Sequence, residues 1–218
     1  MTIATAIMAT GTEIGKTHLA CELLRHAVAQ GLTTQAIKPV MSGFDESELG
    51  KSDAGRLALA CGFEPNIKVV EDICLHRFTP ELAPNVAARQ VGVTLDYEDI
   101  LEFCSERLNT NADFKLLEGA GGLLSPLTDH HLNADLVADL KLPTLLVTAS
   151  YLGSISHTLS TLESATKRNI QISAIVISKP GPNFGDEITF AKELQHWCDS
   201  PIIQMDDTST LMQTLFKA

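Results

Sequence analysis

The run Ala9-Thr10-Gly11-Thr12-Glu13-Ile14-Gly15-Lys16-Thr17 constrains this chain more than any other segment. It follows an apolar stretch over residues 3–8 that reads as a buried strand, and it precedes a stretch with helical spacing. There Leu19, Leu23 and Ala27 form one row, Ala20, Leu24 and Val28 form the next, and Gly31 closes the pattern. A strand, a small-residue loop ending in Gly-Lys-Thr and a helix make the arrangement that cradles a polyphosphate. Backbone N–H groups of the loop and of the helix N-terminus point at the anion, and the helix dipole favours it. Lys16 then reaches the β- and γ-phosphates, and the Thr17 hydroxyl sits on Mg²⁺. The usual pattern has glycine five residues before Gly15; here that position is Thr10, and the glycine falls at Gly11.

At 218 residues the chain is expected to form one domain, long enough to bury a two-sided core. Its net charge of −11 argues against nucleic acid or an anionic membrane as a main partner. The five cysteines (Cys21, Cys61, Cys74, Cys104, Cys198) show no CxxC spacing, and their odd number suits free thiols in a reducing cytosol. No apolar run reaches the length of a membrane span, and no basic-then-apolar leader opens the chain. The expectation is a soluble, cytoplasmic protein with no membrane and no nucleic-acid partner.

Short apolar runs recur at 36–40, 114–118, 144–148, 174–177 and 201–203. Helical patterns lie at 15–30, 53–61, 96–108, 133–140, 155–168 and 186–197. Runs that are apolar on both faces suit a parallel sheet covered by helices. The alternation predicts a doubly wound α/β fold with a mainly parallel sheet and right-handed crossovers, of the P-loop NTPase type. Ligands bind at the carboxyl ends of the strands in such sheets. Residues just after a strand are therefore the ones to weigh.

After the second strand comes Lys38-Pro39-Val40-Met41-Ser42-Gly43. A lone lysine there reads as a snorkelling side chain, but beside a phosphate loop it can neutralise a transferring phosphoryl group. After the third comes Glu118-Gly119-Ala120-Gly121-Gly122. Its acid fits a second Mg²⁺-organising element, and its glycines fit a close backbone approach. Asp53 opens a helix, where an acid favours the dipole, and it offers a third oxygen beside Thr17 and Glu118. After the fourth strand, residues 150–157 form a small-residue turn into a helix, a second anion site suited to a carboxylate, with His157 read as a surface residue. The pair His130-His131 lacks zinc-ligand spacing.

Taken together, these motifs resemble the dethiobiotin synthetases, ATP-dependent carboxylases that close a ureido ring. The resemblance rests on the phosphate loop, on residues 38–43, on Ser52-Asp53-Ala54, on Pro84-Asn85-Val86-Ala87-Ala88, on Glu118-Gly119-Ala120-Gly121-Gly122 and on Leu152-Gly153. It covers residues 3 to roughly 180. It implies ATP as co-substrate, held by Thr12, Glu13, Ile14, Gly15, Lys16, Thr17, His18, Asp53, Glu118, Gly119, Ala120, Gly121 and Ser178. It implies Mg²⁺ on Thr17, Asp53 and Glu118, with Lys38 and Lys16 as catalytic residues. The other substrates are 7,8-diaminononanoate and CO₂ or bicarbonate, at Thr12, Lys38, Ser42, Leu152 and Gly153. The resemblance further implies a homodimer in which the Leu152-Gly153 turn meets the substrate carboxylate across the interface. Lys38→Ala is then expected to abolish product while leaving the fold intact.

The chain departs from the family pattern at Ala9 for the first loop glycine, and at Ser178-Lys179-Pro180 for an asparagine facing the base. Met205-Asp206-Asp207 replaces a late Pro turn, and Ser156 replaces an asparagine at the carboxylate site. Two other readings share the fold class. One is a switch ATPase of the partitioning or septum-placing kind, but such proteins carry a signature lysine where this chain has Gly11. The other is an amide-forming synthetase of the cobyrinate type, which usually needs a further glutaminase domain.

Overall fold

A computed structural model describes residues 2–179, 181 and 184–217. Its strands in chain order are β1 (Ile3–Ala9), β2 (Thr34–Ile37), β3 (Val40–Ser42), β4 (His76–Phe78), β5 (Phe114–Glu118), β6 (Thr144–Ala149), β7 (Ile172–Ser178) and β8 (Ile202–Gln204). Six of them form one sheet in the order β2-β5-β1-β6-β7-β8, with every pairing parallel. The helices are α1 (Lys16–Ala29), α2 (Asp53–Ala60), α3 (Ile67–Ile73), α4 (Pro84–Gln90), α5 (Tyr97–Leu108), α6 (Asn133–Leu140), α7 (Ser154–Lys167), α8 (Glu187–Gln195) and α9 (Thr208–Lys217).

The apolar runs on both faces of each strand explain this layering. Ile3 and Ile7 of β1 pack on one face with Leu19 and Leu23 of α1, Leu57 of α2 and Leu211 of α9. Ala6 and Met8 turn to the other face, against Ile100 and Phe103 of α5 and Leu136 of α6. All five cysteines are free thiols, and burial raises Cys21 to about 11 and both Cys74 and Cys104 to about 12.

The structure corrects one strand. The expected run 36–40 is two strands in two sheets: β2 ends at Ile37, and β3 pairs in parallel with β4 in a separate two-stranded sheet. Pro39 has no N–H to continue the ladder, and the Lys38 N–H donates instead to the Ile73 carbonyl at 2.8 Å. The chain therefore steps out of the main sheet at Lys38, and the step frees that side chain for the site. Helices α3, α4 and α9, with a 3-10 helix at Glu46–Lys51, were not anticipated. The first two run for only 7 residues each, too short for their periodicity to stand out.

The 3-10 helix fixes the start of α2. The Ser52 hydroxyl accepts from the Gly55 N–H at 3.0 Å and donates to the Leu49 carbonyl at 2.7 Å. A Cβ on Gly55 would lie 1.8 Å from that carbonyl oxygen, so no larger residue fits. Gly55→Ala should therefore displace the first turn of α2 and its Asp53. It should lower stability in urea by about 1–3 kcal/mol, the usual range for overpacking, with a lower thermal midpoint to match.

Candidate active site

The carboxyl ends of β1, β5 and β7 open into one cleft of about 1460 Å³. At its floor, Gly15 adopts φ 97 and caps α1 without any side-chain acceptor, which leaves the first N–H groups of that helix free for an anion. Glu13 also adopts a left-handed conformation, at φ 56. Thr10, standing where glycine is usual, donates its N–H to the Val147 carbonyl at 3.0 Å and sets its hydroxyl 3.3 Å from that of Thr148. Ala9 is the last residue of β1 and needs no positive φ, which accounts for the missing loop glycine.

The loop after β5 presses on the phosphate loop. The Leu123 N–H donates to the Ala9 carbonyl at 2.8 Å, and a Cβ on Gly122 would lie 3.2 Å from that same oxygen. Behind it, the fully buried Asn133 donates to the carbonyls of Ala120 at 2.7 Å and Gly122 at 3.0 Å.

Four side chains converge between these loops. The Lys38 ammonium lies 2.7 Å from Glu118 Oε1, 3.0 Å from Asp53 Oδ2 and 3.2 Å from the Gly119 carbonyl. The Thr17 hydroxyl lies 2.7 Å from Glu118 Oε1 and 3.0 Å from Asp53 Oδ1. Glu118 is wholly buried, and its Oε2 has no hydrogen-bond partner among the described residues. Burial alone would lower the Lys38 pKa, but the Asp53 and Glu118 carboxylates outweigh it and hold the ammonium well above its ordinary value. The Lys38 charge in turn holds the Asp53 carboxyl below the usual carboxylate range. The Lys16 ammonium makes one hydrogen bond among the described residues, to the Gly11 carbonyl at 3.3 Å. Burial, with repulsion from Lys38, brings its ammonium down to about 8.

A family model described as an AAA domain matches residues 4–204. An ATP-dependent dethiobiotin synthetase BioD of Caulobacter vibrioides is 42% identical over 193 residues, covering 87% of each chain. The chain belongs to the ATP-dependent dethiobiotin synthetases. A member from Phenylobacterium zucineum is 41% identical over 187 residues, covering 84% of this chain and 80% of its own. Among solved structures, a ParA family ATPase from Chlorobium tepidum superposes with a TM-score of 0.55 at 13% identity, over 100% of this chain and 92% of that one. The MinC:MinD complex of Aquifex aeolicus gives a TM-score of 0.55 at 12% identity, over 98% of this chain and 86% of that one. These two likenesses show the P-loop NTPase fold alone. Dethiobiotin synthetases are ligases of biotin biosynthesis.

Most of the residues singled out in the sequence of this synthetase meet in the cleft. Thr12, Glu13, Gly15, Lys16, Thr17, His18, Lys38, Ser42, Asp53, Glu118, Ala120, Gly121 and Ser178 all line it. Ile14, Gly119, Leu152 and Gly153 do not line it. The Ile14 side chain is part of the core, and Leu152 is fully exposed at the turn before α7. The Ser178 hydroxyl is committed to the carbonyls of Ile14 at 2.6 Å and Thr148 at 3.2 Å, so it clamps the phosphate loop. Pro180 lies outside the described residues, and His157 bonds Tyr151 at the surface. Sequence reasoning missed Arg56, Glu81, Glu187 and Thr208, which also line the cleft. No motif marks them, because distant segments bring them there.

The geometry attaches a stability cost to removing Lys38. Removing Lys38 strands a buried Glu118 carboxylate, at a cost of about 3–5 kcal/mol. Lys38→Met should unfold at markedly lower urea than the wild type, and the double change Lys38→Met with Glu118→Gln should regain most of the loss. Asp53 contributes its share above the unfolded carboxyl value of about 3.9, and that share is lost as pH falls through the lowered folded value. Urea titrations at pH 3 and pH 7 should show the Lys38→Met penalty shrinking in acid.

Proposed function

We propose that the cleft carboxylates a vicinal diamine, 7,8-diaminononanoate, with CO₂ and ATP, and closes the ureido ring of dethiobiotin. The observation that carries this reading is the buried Lys38 held between Glu118 and Asp53, directly beside an anion-ready helix N-terminus. The first amine, once deprotonated, attacks CO₂ and gives a carbamate with release of a proton. A carbamate oxygen then attacks the γ-phosphorus of ATP, and ADP leaves. The second amine attacks the carbamoyl carbon, the ring closes, and inorganic phosphate leaves with the second proton going to solvent.

No enzyme nucleophile is required, so the protein's work is positioning and charge neutralisation. Lys16 and the N–H groups at the start of α1 receive the phosphates. Lys38 sits where a carbamate oxygen and the transferring phosphoryl group both gather negative charge. Thr12 and Ser42 line the diamine pocket in this reading, and Glu13, Gly15, His18, Ala120, Gly121 and Ser178 surround the nucleotide. The backbones of Ile14 and Gly119 belong to the same two loops.

The donor set suits Mg²⁺. The Thr17 hydroxyl, Asp53 and the unpartnered Glu118 Oε2 are oxygen ligands, and no group of three or more His, Cys, Asp and Glu side chains converges among the described residues. Mg²⁺ favours this kind of site, with a few protein oxygens supplemented by phosphates and water. When bound, it would screen the phosphate charge. In the same reading the protein is a cytoplasmic homodimer whose exposed Leu152-Gly153 turn, at the N-terminus of α7, meets the partner's substrate carboxylate. No helix of the described residues is long and apolar enough to cross a membrane.

The purified protein with 7,8-diaminononanoate, bicarbonate, Mg²⁺ and ATP should release ADP only when the diamine is present. Turnover without diamine, or turnover stimulated by DNA, would favour a switch ATPase instead. The Lys16 ammonium adds a pH signature. Its value near 8 in the free protein must rise beside a triphosphate, so the bound state holds more protons than the free state above that pH. ATP affinity should therefore fall as pH rises through 8, by up to about tenfold per unit. Calorimetry in two buffers of different ionisation enthalpy should register proton uptake on binding at pH 8.5. Equal heats in both buffers would refute the assignment.

A further inference from the structure

The diamine substrate creates a charge problem that the residues described so far do not solve. Alkyl ammonium groups have pKa values of about 10, so the substrate arrives as a cation at neutral pH. It enters a pocket that already holds the cations Lys16 and Lys38. The carboxylates of Asp53 and the buried Glu118 are both engaged by Lys38 and Thr17. Of the other acids lining the cleft, Glu22 pairs with Arg25, and Glu187 pairs with Lys179. Glu13 belongs to the phosphate loop, and Asp206 follows Met205, whose side chain packs against Gly15 of that loop.

Glu81 stands apart from these. It lines the cleft, is exposed, and makes no ion pair or side-chain hydrogen bond among the described residues. Its backbone is held over the end of β3. Ser42 of β3 pairs with Phe78 of β4, the Phe44 N–H donates to the Phe78 carbonyl at 2.9 Å, and the Gly43 N–H donates to the Pro80 carbonyl at 3.2 Å. Gly43, at φ 70, makes room for the side chain. A Cβ there would lie 3.0 Å from Glu81 Cγ and 3.6 Å from Glu81 Oε1. The carboxylate is thus seated against Gly43, one residue from Ser42. The Ser42 hydroxyl lines the cleft, is buried, and has no hydrogen-bond partner among the described residues.

We propose that Glu81 is a substrate-binding residue that receives an ammonium group of the diamine, with the Ser42 hydroxyl as the neighbouring polar contact. This inference rests on the diamine reading above and adds a residue to it. The carboxylate offsets the repulsion from Lys38 and Lys16 on entry, and a charge-assisted hydrogen bond orients the amine end of the chain. Glu81 lies apart from the phosphate loop, so its effect belongs to the diamine and not to ATP.

The test is steady-state kinetics of Glu81→Gln, which keeps shape and removes charge. The diamine KM should rise about fivefold to tenfold, as expected for one charge-assisted contact open to solvent, while the ATP KM stays within twofold. Raising salt from 0.05 to 0.5 M should increase the wild-type diamine KM more than that of Glu81→Gln, because only the wild type has the attraction to screen. Glu81→Asp should recover part of the loss. An unchanged diamine KM, or an ATP KM that moves by the same factor, overturns this inference and leaves the diamine reaction standing. A wild type that shows no diamine-dependent turnover overturns both.

Discussion

The ion pair between Lys38 and Glu118 is the interaction on which the rest of the site depends. A carboxylate with no exposure cannot stay charged at the end of β5 without a partner. Lys38 supplies it at 2.7 Å, and to do so the chain must leave the main sheet after Ile37. Pro39 enforces that exit, the Ile73 carbonyl secures it, and the small β3–β4 sheet follows from it. Stability alone does not explain such a pair. Replacing buried charges by apolar side chains of similar volume is often neutral or stabilising. The pair makes sense as a device that keeps a carboxylate charged, dry and aimed, with Oε2 still free.

The backbone around this pair is built to hold two loops against each other. A Cβ on Gly119 would lie 2.4 Å from Met8 Sδ in β1, and Gly122 packs on the carbonyl of Ala9. Ser178 ties Ile14 of the phosphate loop to Thr148 at the end of β6, and Met205 stands 3.0 Å from a Cβ on Gly15. The phosphate loop is therefore gripped by segments that follow β5, β6, β7 and β8. Parallel strands make this grip available, because all their carboxyl ends lie on one side of the sheet. The sequence separations involved reach 164 residues, yet each contact is a single hydrogen bond or one close approach.

The fold was legible in the sequence because its signals are local. Apolar runs on both faces announce covered parallel strands, and Gly-Lys-Thr between a strand and a helix marks the phosphate site. Lys38, Asp53 and Glu118 were legible as strand-end and helix-start residues, and the structure brings both carboxylates within 3.0 Å of the Lys38 ammonium. What the sequence hid was the partnership. Nothing in Lys38-Pro39 says that the lysine is buried and paired with two carboxylates. The break of β2 was written in Pro39, but an apolar Val40-Met41 beyond it masked the change of sheet. Glu81, Arg56 and Asn133 carry no motif. Glu81 meets Gly43 and Arg56 meets Cys21 across more than 30 residues, and Asn133 reaches back 8 to 13 residues into the loop after β5, contacts that periodicity does not announce.

An acidic protein that handles ATP must concentrate its positive charge, and this one does so at the cost of Lys16. With a net charge of −11, the chain nonetheless sets two lysines into one cleft floor, and Lys38 lowers the affinity of Lys16 for a proton. Asp53 and Glu118 outweigh burial at Lys38, whereas at Lys16 burial and the Lys38 charge outweigh the same two carboxylates. This asymmetry divides the labour. Lys38 is a permanent charge locked in the wall, fitted to steady whatever anion forms beside it. In the proposed reading Lys16, under-compensated in the free protein, has its full charge restored by the polyphosphate it receives. The same cleft must then admit a cationic diamine. In the proposed reading the diamine takes the Gly43 side, where Glu81 leaves a carboxylate unspent, and the triphosphate takes the side where the helix N-terminus is left uncapped.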